Sequence, residues 1–183
     1  MRIIAGTCRG RILKAVKGQK TRPTADRVKE AIFNVLAHRV EGTNFLDLFG
    51  GTGNIGLEAL SRGARQVAFV EKYSGALKVL KANVNECGFT DNVHIFPVDA
   101  FKAIEIFKEK NYRFNIIFLD PPYEFKFLEE LIARVVDNEL LLEQGIVVVE
   151  TDKNTNLPTS FKNLIKVREN VYGDTKITYF QIE

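Results

Sequence analysis

Phe45-Leu46-Asp47-Leu48-Phe49-Gly50-Gly51-Thr52-Gly53-Asn54-Ile55-Gly56 is the stretch on which the fold turns. The apolar run 45–49 predicts a strand, the glycines stop it, and a helix is expected from about 55 to 61. Gly51 to Gly56 fits G-x-G-x-x-G, and Glu71 lies 20 residues beyond Gly51, at the end of the next apolar run. A glycine loop alone is a weak signal, since a tight strand–helix turn has the same spelling. Strand, loop, helix, strand and acid in succession point instead to a nucleotide-like ligand whose ribose hydroxyls the acid accepts.

Outward from this stretch the pattern repeats. Strands are expected at 66–70, 93–96, 114–119 and 146–149, closing at Glu71, Asp99, Asp120 and Glu150. Helices are expected at 74–87 with Gly88 as the stop, at 100–109 and at 127–137. The strands are nearly continuous apolar runs, as in parallel strands covered on both faces. The alternation implies an α/β fold, a doubly wound, mostly parallel sheet. The segments 165–172 and 176–182, around Gly173-Asp174, read as a C-terminal antiparallel hairpin. In such sheets ligands bind beyond the carboxyl ends of the strands, so the strand-end acids mark one site.

The 183 residues suffice for about one domain with a full core. No apolar run approaches the roughly 18 residues of a spanning helix, and no signal-peptide pattern opens the chain. Cys8, Cys87, His38 and His94 are the only cysteines and histidines. That argues against a metal site and against a histidine-based triad. A cytoplasmic, metal-free monomer is expected.

The net charge of +3 is uneven: residues 1–40 carry +8 and the remainder −5. A basic segment on an acidic body suits a polyanionic partner, and Arg suits phosphate through its bidentate fork. Within this segment two short strands, 2–5 and 11–16, are expected around Gly6-Thr7-Cys8-Arg9-Gly10. Thr24 reads as a helix N-cap. Val28, Ala31, Ile32, Val35 and Leu36 form an apolar stripe that leaves Arg27 and Lys29 outside it.

Asp120-Pro121-Pro122-Tyr123 supplies the chemistry. Prolines donate no backbone hydrogen bond, so the turn should present carbonyls as acceptors beside the Asp120 carboxylate, followed by an aromatic ring. Two acceptors and a ring suit a planar amino group on a base. They would draw its protons and localise the nitrogen lone pair for attack on an electrophilic methyl. Asp47, placed to meet an amino-acid ammonium, tilts the cofactor towards S-adenosylmethionine and away from a nicotinamide dinucleotide.

The chain resembles class I S-adenosylmethionine-dependent methyltransferases, and more closely the bacterial 16S ribosomal RNA guanine-N2 methyltransferase family. The resemblance rests on Met1-Arg2-Ile3-Ile4-Ala5-Gly6 with Arg9-Gly10, on Arg22-Pro23-Thr24 with Asp26 to Ala31, and on Phe33-Asn34. Leu46-Asp47-Leu48-Phe49, Gly56 to Ala64 and Asp120 to Tyr123 complete it. Gly50 departs from the family's usual Ala, from which looser packing is expected. The resemblance implies a Rossmann-like fold and methyl transfer to one guanine N2 of 16S rRNA, in the small ribosomal subunit or an assembly intermediate. It implies that Asp47, Phe49, Gly50, Gly51 and Gly53 hold the methionine end of the cofactor, Glu71 the ribose and Asp99 the adenine amine. Asp120 and the Pro121 carbonyl would grip the target N2, and Tyr123 would stack on the guanine. Residues 1–43 would be an RNA-docking extension using Arg9, Arg11, Lys14, Arg22 and Arg27, and 44–183 the catalytic domain. The alternatives are an adenine-N6 methyltransferase with the same tetrapeptide, a nicotinamide-dependent oxidoreductase, and a non-catalytic RNA-binding module. No catalytic Tyr-Lys or His-Asp pair supports the oxidoreductase, and an RNA-binding module needs no Asp120 beside a cofactor loop.

Overall fold

The structure, a computed structural model, describes residues 1–16, 26–122 and 124–183. They form two compact units, Met1–Asp99 and Ala100–Glu183. No helix among the described residues is long and apolar enough to cross a membrane.

The first unit contains α1 (Asp26–Leu36), β1 (Asn44–Asp47), α2 (Asn54–Ser61), β2 (Gln66–Val70), α3 (Ser74–Cys87) and β3 (Val93–Phe96). The strands are parallel in the order β3-β2-β1. Parallel neighbours need a crossover, and α2 and α3 provide it. Every residue of α2 is buried, so this helix is the centre of the unit. Gly88, at φ +74°, ends α3 as expected, and Phe89 N–H closes on the Val84 carbonyl at 3.2 Å.

β1 stops at Asp47, two residues before the expected end. The Asp47 carboxylate accepts a hydrogen bond from the Phe49 backbone, which turns the chain out of the strand. The N-terminal segment is a looser hairpin than expected, with one antiparallel bridge, Arg2 to Ile12. Gly6, at φ +83°, lets it sit on the end of α2: a Cβ there would lie 1.6 Å from the Ser61 carbonyl oxygen. Thr7 N–H donates to that carbonyl at 2.8 Å, and Cys8 N–H to Ser61 Oγ at 2.9 Å.

Lys29 lies inside the fold, contrary to expectation, with a relative exposure of 0 %. The buried face of α1 is Val28, Lys29, Ile32, Phe33 and Leu36, rotated away from Ala31 and Val35. The ammonium is accommodated by the Arg2 carbonyl at 2.6 Å, Asn54 Oδ1 at 2.8 Å and Glu58 Oε2 at 3.3 Å. Burial holds its pKa below the ordinary lysine value, with Glu58 pulling the other way. The Glu58 carboxylate also accepts from Ile4 N–H at 2.7 Å, Ala5 N–H at 3.1 Å and Arg62 Nε at 2.7 Å. Glu58→Ala strands a buried ammonium and two half-buried amides, and should cost about 3–5 kcal/mol in a urea titration. A loss under about 1 kcal/mol would show that water or a neighbour replaces the carboxylate.

The second unit contains α4 (Ala100–Glu109), β4 (Phe114–Leu119), α5 (Leu128–Asp137), β5 (Leu141–Asp152), β6 (Ser160–Phe161), β7 (Leu164–Tyr172) and β8 (Thr175–Ile182). The strand order is β4-β5-β8-β7-β6, with β4 and β5 parallel and the rest antiparallel. The C-terminal hairpin is therefore present, as β7 and β8, with a short β6 beyond it that the sequence did not signal. β5 begins five residues earlier than expected. Leu141 pairs with Phe114 and Ile146 with Ile116, so Leu142 to Gly145 bulge out between them. That polar, glycine-containing bulge hid the first part of the strand.

Candidate active site

The glycine loop of the first unit closes as the motif requires. Gly53 N–H donates to the Gly50 carbonyl at 2.7 Å, and Gly53 sits at φ +91°, the residue from which α2 starts. A Cβ on Gly53 would meet Leu80 at 2.7 Å, so both conformation and space require glycine. Gly50 is not loosely packed: the Phe69 ring fills the volume an alanine methyl would take, 3.0 Å from an ideal Cβ. The expected slack at the departure from the family pattern is absent because a phenylalanine stands beneath it. Phe49 lies half-buried in the turn that precedes this loop.

The acids divide into different roles. Glu71 follows β2 directly, and its carboxylate accepts from Gly51 N–H at 2.9 Å and Tyr73 N–H at 2.7 Å. Two amides aim it while its remaining lone pairs stay available to ribose hydroxyls. Asp47 is fully buried and accepts from Gly56 N–H at 3.1 Å, which ties the end of β1 to the first turn of α2. Burial pushes its pKa up to about 7; the Gly56 amide opposes this and the Glu71 charge adds to it. A cation would relieve that cost, so the donor set fits an amino-acid ammonium with a ribose nearby. Asp99 is exposed and stands three residues past the end of β3, in the connector immediately before α4.

In the second unit Asp120 follows β4 directly and is half-buried. The Pro122 carbonyl is engaged, accepting Phe125 N–H at 2.8 Å, so the turn uses one of the two acceptors the prolines leave. Phe125 packs on Phe101 with ring centroids 6.2 Å apart and edge-on to Phe127 at 6.3 Å, which fixes the chain leaving the tetrapeptide. Tyr123 and Arg22 lie outside the described residues.

Arg9, Arg11 and Arg27 are exposed and form no salt bridge among the described residues. Arg9 and Arg27 line a cleft of about 440 Å³ with Arg2, Ile4, Asp26 and Glu30. Lys14 differs: its ammonium pairs with Glu86, and its backbone is held by Asn83. Three residues near the loop escaped sequence reading. Lys29 and Asn83 each occupy a helix face otherwise apolar, Asn83 among Ala76, Leu80, Val84 and Cys87, and a polar residue on such a stripe was the available signal. Tyr73, half exposed beside Glu71, carried none.

The strand, glycine loop, helix and acid-ended strands define a class I methyltransferase fold. The solved structure titled "Putative methyltransferase yhhF from Escherichia coli" superposes with a TM-score of 0.87 at 35% identity, covering 100% of this chain and 98% of that one. The chain belongs to the family described as Conserved hypothetical protein 95, which matches residues 1–181. It is 38% identical over 181 residues to "Putative rRNA methyltransferase YlbH" of Bacillus subtilis, covering 99% of this chain and 98% of the relative. It is 34% identical over 183 residues to "Ribosomal RNA small subunit methyltransferase D" of Escherichia coli K12, covering 100% and 90%. These full-length matches bear out the family resemblance carried by the motifs.

Proposed function

We propose that the chain transfers a methyl group from S-adenosylmethionine to the exocyclic N2 of a guanine in 16S rRNA, within the small ribosomal subunit or its precursor. The observation that carries this reading is the Glu71 carboxylate on Gly51 N–H at 2.9 Å, in the same unit as a buried Asp47, in a chain whose sequence continues from Leu119, the last residue of β4, into Asp120-Pro121-Pro122-Tyr123. The relatives' names, which specify ribosomal RNA and its small subunit, favour that substrate.

S-adenosylmethionine supplies a methyl group on a sulfonium centre, an electrophile that needs no metal. Asp47 and the loop from Phe49 to Gly53 would hold its amino-acid end, Glu71 its ribose, and Asp99 its adenine amine. Asp120 and the Pro121 carbonyl accept the two N–H bonds of the target amine. Positive charge would grow on that nitrogen as the N–C bond forms and the methyl–sulfur bond breaks, S-adenosylhomocysteine leaving and the nitrogen then losing a proton to solvent, and the Asp120 carboxylate would stabilise that charge. The amine keeps its protons until bond formation, so Asp120 acts by charge and orientation and not as a strong base. Tyr123 offers a face for the guanine, which must leave its pair to expose N2.

Glu71→Ala removes two hydrogen bonds to the ribose and should weaken S-adenosylhomocysteine binding by about 1–3 kcal/mol in calorimetry. Unchanged affinity would displace Glu71 from the donor site. Arg9, Arg11 and Arg27 supply the RNA-docking charge. Their triple replacement by Ala should lower the log–log salt slope of RNA binding by about 0.7–0.9 for each phosphate no longer neutralised. An unchanged slope would make the basic extension a solvated surface. The test of the whole reading is titration with S-adenosylhomocysteine and NAD, followed by label transfer from S-adenosylmethionine to small subunits, 16S rRNA and DNA. Binding of the first alone and label in rRNA are expected; NAD binding or labelled DNA would overturn the reading.

A further inference from the structure

Two buried polar side chains join the N-terminal extension to the glycine loop. Asn83, 0 % exposed, accepts Lys14 N–H at 2.9 Å through Oδ1 and donates through Nδ2 to the Lys14 carbonyl at 3.1 Å and the Thr52 carbonyl at 2.9 Å. Both of its N–H groups are used, one on the extension and one on the middle of the glycine loop. Lys29 spends its three N–H groups in the same way: the Arg2 carbonyl in the extension, Asn54 at the first position of α2, and Glu58. Glu58 in turn fastens the amides of Ile4 and Ala5. Arg2 and Ile4 also line the cleft that Arg9 and Arg27 flank, so what fills that cleft bears directly on this network.

We propose that Asn83 and Lys29 are positioning residues that couple RNA docking on the N-terminal extension to donor binding at the glycine loop. The inference rests on the proposed function, which supplies the two ligands. Apolar side chains could hold the extension to the core at less desolvation cost. Satisfied buried polar groups instead fix both partners in one geometry, because moving either strands a donor without water. An extension ordered by RNA phosphates on its arginines therefore places Thr52 and Asn54 where the donor needs them. The loop ordered by the donor must favour the docked extension by the same factor.

The experiment is a binding cycle with S-adenosylhomocysteine and unmethylated 16S rRNA transcript, reading the ratio of donor Kd without and with RNA. Any uniform loss of affinity in a variant cancels in that ratio. Wild type should show tightening of about fivefold or more, and Asn83→Leu should bring the ratio to within about twofold of one. Hydrogen exchange on the wild type guards against a misfolded variant. S-adenosylhomocysteine alone should slow the amides of Ile4, Ala5 and Lys14 as well as those of the loop. A wild-type ratio of one, an Asn83→Leu ratio equal to wild type, or protection confined to the loop overturns the coupling while leaving the function intact. Failure of the wild type to bind either ligand overturns the function and the coupling with it.

Discussion

Asp120→Ala should lower the single-turnover rate of methyl transfer by about 10²–10³-fold while leaving S-adenosylhomocysteine affinity unchanged. The size follows from where the charge develops. The target nitrogen is nearly neutral in the ground state and cationic in the transition state, so a carboxylate beside it acts mainly on the rate. Asp120 is held at the end of β4, where Ile116 to Leu119 are buried, so its backbone should survive truncation of the side chain. Asp120→Asn keeps one acceptor and the shape but loses the charge, and should fall between wild type and Ala. Near-normal turnover in Asp120→Ala would remove the tetrapeptide from the active site. A parallel loss of donor affinity would place Asp120 in the donor site instead.

Asp47→Asn should make the ligand-free protein more stable at pH 8 and nearly abolish donor binding. The Asp47 pKa is raised to about 7 by burial, from an ordinary value of 3.8. The fold thus prefers the neutral acid and takes up a proton between about pH 4 and 7. Stability from this group is complete below the unfolded pKa, is lost as pH rises through the folded one, and above pH 7 the fold carries the cost of a buried carboxylate. Three pKa units correspond to about 4 kcal/mol as an upper bound. Asn keeps the acceptor for Gly56 N–H but offers one oxygen fewer, so a net gain of about 1–3 kcal/mol at pH 8 is expected. The gain should shrink as pH falls below 7 and vanish only below about pH 4, where Asp47 is neutral in both the folded and the unfolded chain. Donor binding to wild type should weaken up to about tenfold per pH unit below 7, because the ammonium selects the carboxylate. A variant less stable than wild type at pH 8, or donor affinity flat between pH 5 and 8, would contradict this.

The elements read from the sequence were those whose signals are local. β2, α3, β3, α4 and β4 fall where periodicity and the Gly88 stop put them. The spacing of 20 residues marked Glu71 as a companion of the glycine loop in ligand binding, but carried no sign of its 2.9 Å bond to Gly51 N–H. What escaped depended on partners distant in sequence. Lys29 reads as a surface charge until Glu58, Asn54 and the Arg2 carbonyl are brought round it. The smaller glycine at position 50 suggests slack until Phe69 is seen to fill it. β5 is interrupted by a bulge whose polar residues resemble a loop, and Asp47 ends β1 through a side-chain bond that periodicity does not register. The charge asymmetry was visible, but part of the +8 of residues 1–40 is spent within the fold, on Glu58 by Lys29 and on Glu86 by Lys14.

The proposed reaction places a methyl group on guanine N2. It is tested most directly by transferring labelled methyl from S-adenosylmethionine to unmethylated small-subunit RNA, digesting to nucleosides and identifying the labelled species. A single labelled product, N2-methylguanosine at one site, is expected, formed about 10²–10³-fold more slowly with Asp120→Ala. Label in N6-methyladenosine would contradict the assignment of the amine, and no label in RNA would contradict the function.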